Sequence, residues 1–187
     1  MISVIVPVLD DEPALRAPTG RARQLMEGVA RARGDWLWML HADSRVDASV
    51  WDALRRAADS DGAAWRRFDV RLSGGHPAYR VIETLMNLRS RWSSICTGDQ
   101  GIFSRRDLLE LIDGVPDQPL MEDIELTKRL RRYARPICID TRLGASSRRW
   151  QQRGIAATVL LMWQLRLKYF FGVAPEALVQ EYYGSGR

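Results

Sequence analysis

Apolar and polar positions along the chain alternate between two periods, and that alternation sets out the elements. SVIVPV (3–8) is a β-branched run closed by the acidic turn Leu9-Asp10-Asp11-Glu12-Pro13, which predicts a buried strand. Ala22, Leu25, Met26 and Val29 then recur at the spacing of one helix face, with Thr19 as N-cap and Gly34 as the residue past the end. DWLWML (35–40) predicts the next strand and 47–58 a helix carrying Val50, Leu54 and Ala57 inward. FDVRL (68–72) alternates as a half-exposed strand does, and Gly74-Gly75 breaks it. Pro77 opens a helix whose apolar stripe is Val81, Ile82, Leu85, Met86 and Leu88. GIFS (101–104) predicts a short strand, and Ser104 with Asp107 a capping box for a helix through Ile112. MEDIELTKRLRRY (121–133) predicts a helix, PICID (136–140) a strand, Ile155 to Phe171 a long apolar helix, and Pro175 opens a last one.

Strand, helix and strand in succession form the unit of a parallel sheet, so the expectation is an α/β domain with a largely parallel sheet. In such sheets ligands bind at the carboxyl ends of the strands. WLWMLHADS (36–44) is therefore the first place to look: a hydrophobic strand delivers His41 and Asp43 to its carboxyl end. A carboxylate there can hold a divalent cation, and the cation a diphosphate. The alternative is a cap for the following helix, a duty that Asp47 or Ser49 could also perform. A second acidic cluster, Glu122-Asp123 with Glu125, begins a helix after the Gly/Pro-rich loop GVPDQPL (114–120). Helix dipoles favour acids there, but an exposed catalytic base would be held firmly in the same place. TGDQ (97–100) is a polar tetrapeptide between a helix and a strand, and Arg148, Arg149 and Trp150 set two guanidiniums beside an indole.

Composition narrows the class. The 187 residues suffice for one domain with a sizeable core, and 46% hydrophobic with 27% charged residues excludes disorder over the whole length. The net charge is +5, and only Lys128 and Lys168 are lysines, so the positive charge is almost all Arg. Arg suits phosphate and carboxylate, although a GC-rich genome writes the same bias. Cys96 and Cys138 have no partners at metal spacing, and reduced thiols in a cytosolic protein are the expectation. MISVIVPVLDDEP has no basic n-region and too short an apolar run for a signal peptide, and no stretch has the roughly 18 consecutive apolar residues of a spanning helix.

The order SVIVPV, GRARQ (20–24), HADS (41–44), TGDQGIF (97–103), MEDIEL (121–126) and SRRW (147–150) resembles the family 2 glycosyltransferases, over nearly the whole chain. The combination looks most like the small bacterial subgroup associated with arsenosugar biosynthesis and selenodomain proteins. The resemblance implies a GT-A fold, a Rossmann-like, mostly parallel sheet flanked by helices, over 1–153, and a C-terminal helical extension over 154–187. It implies an inverting transfer of a sugar from a nucleotide-diphosphate donor to an acceptor hydroxyl. Asp123 would be the general base and Asp43 the ligand of a divalent metal, Mn²⁺ or Mg²⁺. Arg21, Arg23, His41, Arg148, Arg149 and Trp150 would meet the donor and its diphosphate; Gly98, Asp99 and Glu122 would meet the acceptor, a small molecule or a lipid-linked one. His41 stands where the family usually has a first carboxylate. It is a ligand to Mn²⁺, a contact to ribose or phosphate, or a core histidine. Trp150 stacks on a sugar or lies in the core, and Arg21 and Arg23 face the ligand or form a solvated basic turn.

The chain departs from that family between Leu9 and Thr19, where the segment expected after residue 15, with the second strand and its nucleotide-reading acid, is absent. Glu27 replaces an Asn usual in the subgroup, with no role assigned. The apolar segment 155–173 is read as core, as a homodimer interface, or as a helix on a membrane surface with Arg166 and Lys168 at the headgroups. A cytoplasmic protein, peripheral at the inner face of the membrane in the last case, is the expectation. Two other readings remain: a degenerate protein that binds nucleotide sugars without turnover, and a basic nucleic-acid-binding domain. The basic residues are scattered without interleaved aromatics, so nucleic acid is not expected as a partner.

Overall fold

The computed structural model describes residues 1–8, 20–60 and 62–184. Five strands form one sheet in the order β1-β2-β4-β3-β5: β1 (Ile2–Ile5), β2 (Trp36–Met39), β3 (Trp65–Leu72), β4 (Ile102–Arg105) and β5 (Ile137–Ala145). β1 and β2 run parallel, as do β3 and β5, but β4 lies antiparallel between β2 and β3. The sheet is thus mixed, a correction to the largely parallel sheet expected. Pairing over long sequence distance decides this, and no local pattern records it. At the reversal, Trp36 stacks on Phe103 with ring centroids 4.5 Å apart.

The helices are α1 (Arg21–Arg31), α2 (Ala48–Asp59), α3 (Pro77–Ser93), α4 (Arg106–Leu111), α5 (Glu122–Leu130), α6 (Arg148–Arg153), α7 (Ile155–Phe170) and α8 (Pro175–Gly184). The short α6 is an addition to the predicted elements. Leu25, Leu37, Met39, Trp65, Ile102, Leu126 and Leu130 belong to one core cluster, and Trp38, Val50, Leu54, Phe68, Phe103 and Leu143 to a second. The Thr19 cap and the connection Leu9–Thr19 lie outside the described residues. α1 ends before Gly34, because the Arg106 guanidinium takes the carbonyls of Ala32 (2.6 Å) and Gly34 (3.1 Å). Met26 is exposed rather than inward. The expected capping box at Ser104 is not formed: Ser104 is buried in β4 and its hydroxyl donates to the Arg105 carbonyl. Across the 3₁₀ turn Gly98–Gln100 the Gln100 side chain instead accepts from Thr97 N–H at 3.3 Å.

α3 corrects its predicted face. Val81, Leu85 and Leu88 are exposed, together with Trp92, while Ile82 and Met86 face inward alongside Tyr79, Glu83 and Ser90. The reason lies in β3, which meets β4 only at Trp65 and Arg66 and leaves later N–H groups open on that side. Asn87 Oδ1 accepts from Val70 N–H at 2.9 Å and Glu83 Oε1 from Leu72 N–H at 2.5 Å. Buried N–H groups need acceptors, so the polar face of α3 is drawn in and its apolar side turned out.

α7 and α8 pack on the start of α5: Leu165, Leu178 and Tyr182 cluster with Met121 and Ile124. Leu160, Trp163, Leu167, Phe170 and Phe171 remain exposed. Arg166 and Lys168 do not present a common cationic edge, as the membrane reading supposed. Lys168 pairs with Glu181 of α8 at 2.7 Å, and Arg166 is half-buried. Among the described residues no helix is long and apolar enough to cross a membrane.

Candidate functional site

Three segments converge at the carboxyl end of β2: His41 to Asp43 beyond the strand, the 3₁₀ turn after α3, and the first turn of α5. The acids of α5 are delivered by Met121, a non-glycine residue at φ 63° whose side chain is buried in the third cluster. Left-handed backbone costs such a residue about 1–2 kcal/mol, and packing holds it there. α5 therefore starts abruptly, with Glu122 turned inward and Asp123 toward the turn.

Asp123 is held by two backbone donors. Gly98 N–H reaches its Oδ2 at 2.8 Å and its neighbour Ile124 N–H reaches Oδ1 at 2.7 Å. Each carboxylate oxygen keeps a lone pair, so the group can still accept a proton. The turn is in turn tied to α5 through Cys96 N–H and Thr127 Oγ1 at 3.3 Å, and to α3 through Gln100 and Ser90 Oγ at 2.8 Å. Gly98 is enclosed by the Arg21 guanidinium and the His41 imidazole, and a Cβ there would run into both.

Glu122 is buried and paired with Arg21. Burial pushes its carboxyl above the usual range, the charge of Asp123 adds to this, and Arg21 pulls it back. A small cavity beside the pair is lined by Arg21, Gly98, Glu122 and Asp123 over apolar Met39 and Ile102. His41 is half-buried with Nε2 3.8 Å from Asp99 Oδ1. Burial lowers its pKa and the positive Arg21 lowers it further, against the pull of Asp99, Asp123 and Asp43.

Asp47, not Asp43, caps α2, accepting from Val50 N–H at 2.9 Å. Asp43 is exposed at the turn beyond β2, where it is free to meet a ligand. Among the described residues no three His, Cys, Asp or Glu side chains gather into a metal cage. The donor set suits a hard cation that takes one or two carboxylates and completes its shell with phosphate and water.

Arg21, His41, Asp43, Gly98, Asp99, Glu122 and Asp123 are thus brought together. Arg23 points elsewhere, 3.2 Å from Asp117. On α6, Arg148 and Arg149 are exposed, Arg149 stands 5.0 Å from the Tyr182 ring, and Trp150 packs on the cluster of Val70, Leu72 and Tyr79. Two residues of this region escaped the sequence reading, Arg89 and Arg166. Burial lowers the pKa of both guanidiniums, and the charge of Asp123 opposes this in each case. Their only sequence signal is an Arg inside an otherwise apolar helix in the case of Arg166.

No family model and no curated protein matches this chain. Among solved structures, one described as the crystal structure of a mycobacterial protein is similar over 78% of this chain at 15% identity, with a TM-score of 0.44. The chain spans 54% of that protein's length, about half.

Proposed function

We propose that the protein is an inverting glycosyltransferase of the GT-A type, moving a sugar from a nucleotide-diphosphate donor to an acceptor hydroxyl. The observation that carries the reading is the position of Asp123: a carboxylate fixed by two N–H donors, one of them from Gly98 of the turn that also carries Asp99 and encloses His41. Acceptor and metal ends of one site would face each other across the turn.

In this reading Asp123 takes the proton of the acceptor hydroxyl while that oxygen forms its bond to the anomeric carbon. The bond from that carbon to the diphosphate oxygen breaks, and the diphosphate leaves with the electron pair. Asp43 would hold a divalent cation, whose charge offsets that of the leaving group. His41, neutral at pH 7, serves as a hydrogen-bonding partner for ribose or phosphate. Arg21 neutralises Glu122 and keeps the floor of the site in shape. Arg148 and Arg149, exposed on α6, are available to the diphosphate.

The test is a thermal-shift panel of UDP, GDP and dTDP, each with and without Mn²⁺, on the wild type and on Asp43→Ala. One nucleotide at about 100 times its Kd should add about 2.7 kcal/mol of stability, only with metal, and Asp43→Ala should abolish the gain. A wild type that no nucleotide stabilises overturns the reading.

A further inference from the structure

α3 carries an apolar face that no described element covers. Val81, Leu85, Leu88 and Trp92 follow one another at steps of four, three and four residues, which sets them on one side of the helix over about 16 Å. The first three are more than half exposed, and Trp92 is 88% exposed. Ile82 and Met86 of the same helix already pack with Val70 and Leu72, so the core is closed without the outer row. A continuous row of this kind marks a contact surface, as single exposed hydrophobics do not.

Cations stand at one end of the row. Trp92, with Ser93 and Ser94, lines a groove together with Arg131, Arg132 and Arg135, which come from the end of α5 and the segment after it. Arg131 Nη1 donates to the Ser93 carbonyl at 3.0 Å and so joins the two walls. No acidic side chain lines the groove. Arg91, just before Trp92, is occupied by Asp69 and Asp140, and Glu125 of α5 by Lys128 and Arg129. Among the described residues Arg131, Arg132 and Arg135 make no ion pair. A helix end favours cations, which accounts for Arg131 and Arg132 but not for a tryptophan so exposed beside them.

The occupant must answer an apolar row and a basic end at once. A second copy would bring the same basic groove, and four side chains fall short of the about 800 Å² per partner of a stable interface. A single-stranded nucleic acid would pair with the arginines and leave Val81, Leu85 and Leu88 in water. A peptide helix docks into a hydrophobic groove, whereas this row projects from the outside of one helix. The boundary of an anionic bilayer meets every feature. Acyl chains take Val81, Leu85 and Leu88, lipid phosphates take the guanidiniums, and the headgroup level suits an indole.

We infer that this face of α3, with the arginines that follow α5, lies on the surface of an anionic membrane. The inference is independent of the transferase reading. It makes α3 the membrane-facing helix in place of α7, whose Lys168 is taken up by Glu181.

Co-sedimentation of the full chain with vesicles tests it, using phosphatidylcholine alone and phosphatidylcholine mixed with phosphatidylglycerol. The proteins are the wild type, Leu85→Gln with Leu88→Gln, Trp92→Gln, Arg132→Gln with Arg135→Gln, and Phe170→Gln on the exposed face of α7. Arg131 stays in place so that its bond to Ser93 is kept. The wild type should sediment with the mixed vesicles and much less with phosphatidylcholine alone. The two apolar variants should lose this binding, and the arginine variant should weaken it about fivefold per arginine removed. Phe170→Gln should bind as the wild type does. A wild type that stays in the supernatant with the mixed vesicles overturns the inference, as does binding unchanged by the α3 variants. Binding lost in Phe170→Gln alone assigns the contact to α7 instead. Binding that falls with the arginines but not with Leu85, Leu88 or Trp92 makes the groove a site for soluble polyanions and removes the bilayer. Sedimentation equilibrium without vesicles supplies the last check. A dimer that Leu85→Gln with Leu88→Gln dissociates would mean that a second copy covers the face.

Discussion

The backbone N–H of Gly98 donates to Oδ2 of Asp123 at 2.8 Å, joining the 3₁₀ turn to the first residues of α5. The bond orients a carboxylate without consuming it. Asp123→Asn keeps an oxygen able to accept from one N–H and removes the proton acceptor. The expected outcome is a melting temperature near that of wild type and sugar transfer slowed about 100-fold or more. Transfer of labelled sugar, followed beside the thermal melt, checks both halves. A fully active Asn variant would remove Asp123 as the base.

Gly98→Ala tests the enclosure of the same residue. Its Cβ would press on Arg21 and His41, so both must move. Overpacking of this kind costs about 1–3 kcal/mol, and here it should also disturb nucleotide binding. Denaturant unfolding with nucleotide titration measures the two effects, and an Ala variant of unchanged stability would contradict the packing.

Arg21 and Glu122 give a pH-dependent prediction. Burial raises the Glu122 pKa in the folded protein above its unfolded value, so the folded state binds the proton more tightly. The stability from that proton is present below the unfolded pKa and is lost as pH rises through the folded one. At neutral pH Arg21 offsets the cost of the buried charge. Arg21→Met should therefore cost about 3 kcal/mol at pH 7, the low end for a broken buried pair because Arg21 is 25% exposed. The deficit should shrink as pH falls through the Glu122 pKa of the variant, where the carboxyl no longer needs a partner. Urea unfolding from pH 8 to pH 4 reads this directly. A deficit that is constant with pH would mean the pair is not the cause.

Much of this organisation was legible in the sequence, and the misses share a cause. The first β2 residues, the acids of α5 and the end of β2 follow from local pattern, because apolar runs and helix starts are written in adjacent residues. β3 begins three residues before the expected Phe68, since Arg66 and Arg67 read as polar. Both are fully buried: Arg66 lies 4.3 Å from the Trp36 ring, and Arg67 pairs with Asp69. The antiparallel placement of β4 and the inward turn of the polar α3 face both depend on partners far away in the chain. A guanidinium on an exposed helix face and one turned into a cleft look alike in sequence; only the fold distinguishes them.

The two thiols should differ sharply. Cys96 is fully buried behind the 3₁₀ turn, and burial pushes its thiol up to about 12, whereas Cys138 is only half-buried. Because the thiolate is the reacting species, native protein should titrate as one accessible thiol with an aromatic disulfide reagent and as two in denaturant. Mass spectrometry should place the native label on Cys138. Rapid native labelling of Cys96 would show that the turn opens.

His41 carries the last prediction, because its charge decides what it can do for a ligand. Burial and Arg21 hold its folded pKa below the ordinary 6.5, and Asp99, Asp123 and Asp43 reverse this only in part. Between the folded pKa and 6.5 the unfolded chain binds more protons than the folded one, so stability rises with pH through that interval and levels off above it. On acidification the same contribution is lost, and His41→Asn should flatten this part of the curve. An NMR titration of the imidazole should have its midpoint below 6.5, and Asp99→Asn should lower it further by removing the nearest anion, 3.8 Å away. A midpoint above 6.5 would mean that the three acids outweigh burial. His41 would then be a cation near neutral pH, unsuited to ligate Mn²⁺ and suited only to phosphate. A neutral imidazole keeps both roles open to the same side chain, and Mn²⁺-dependent nucleotide binding should then weaken on acidification through the His41 midpoint.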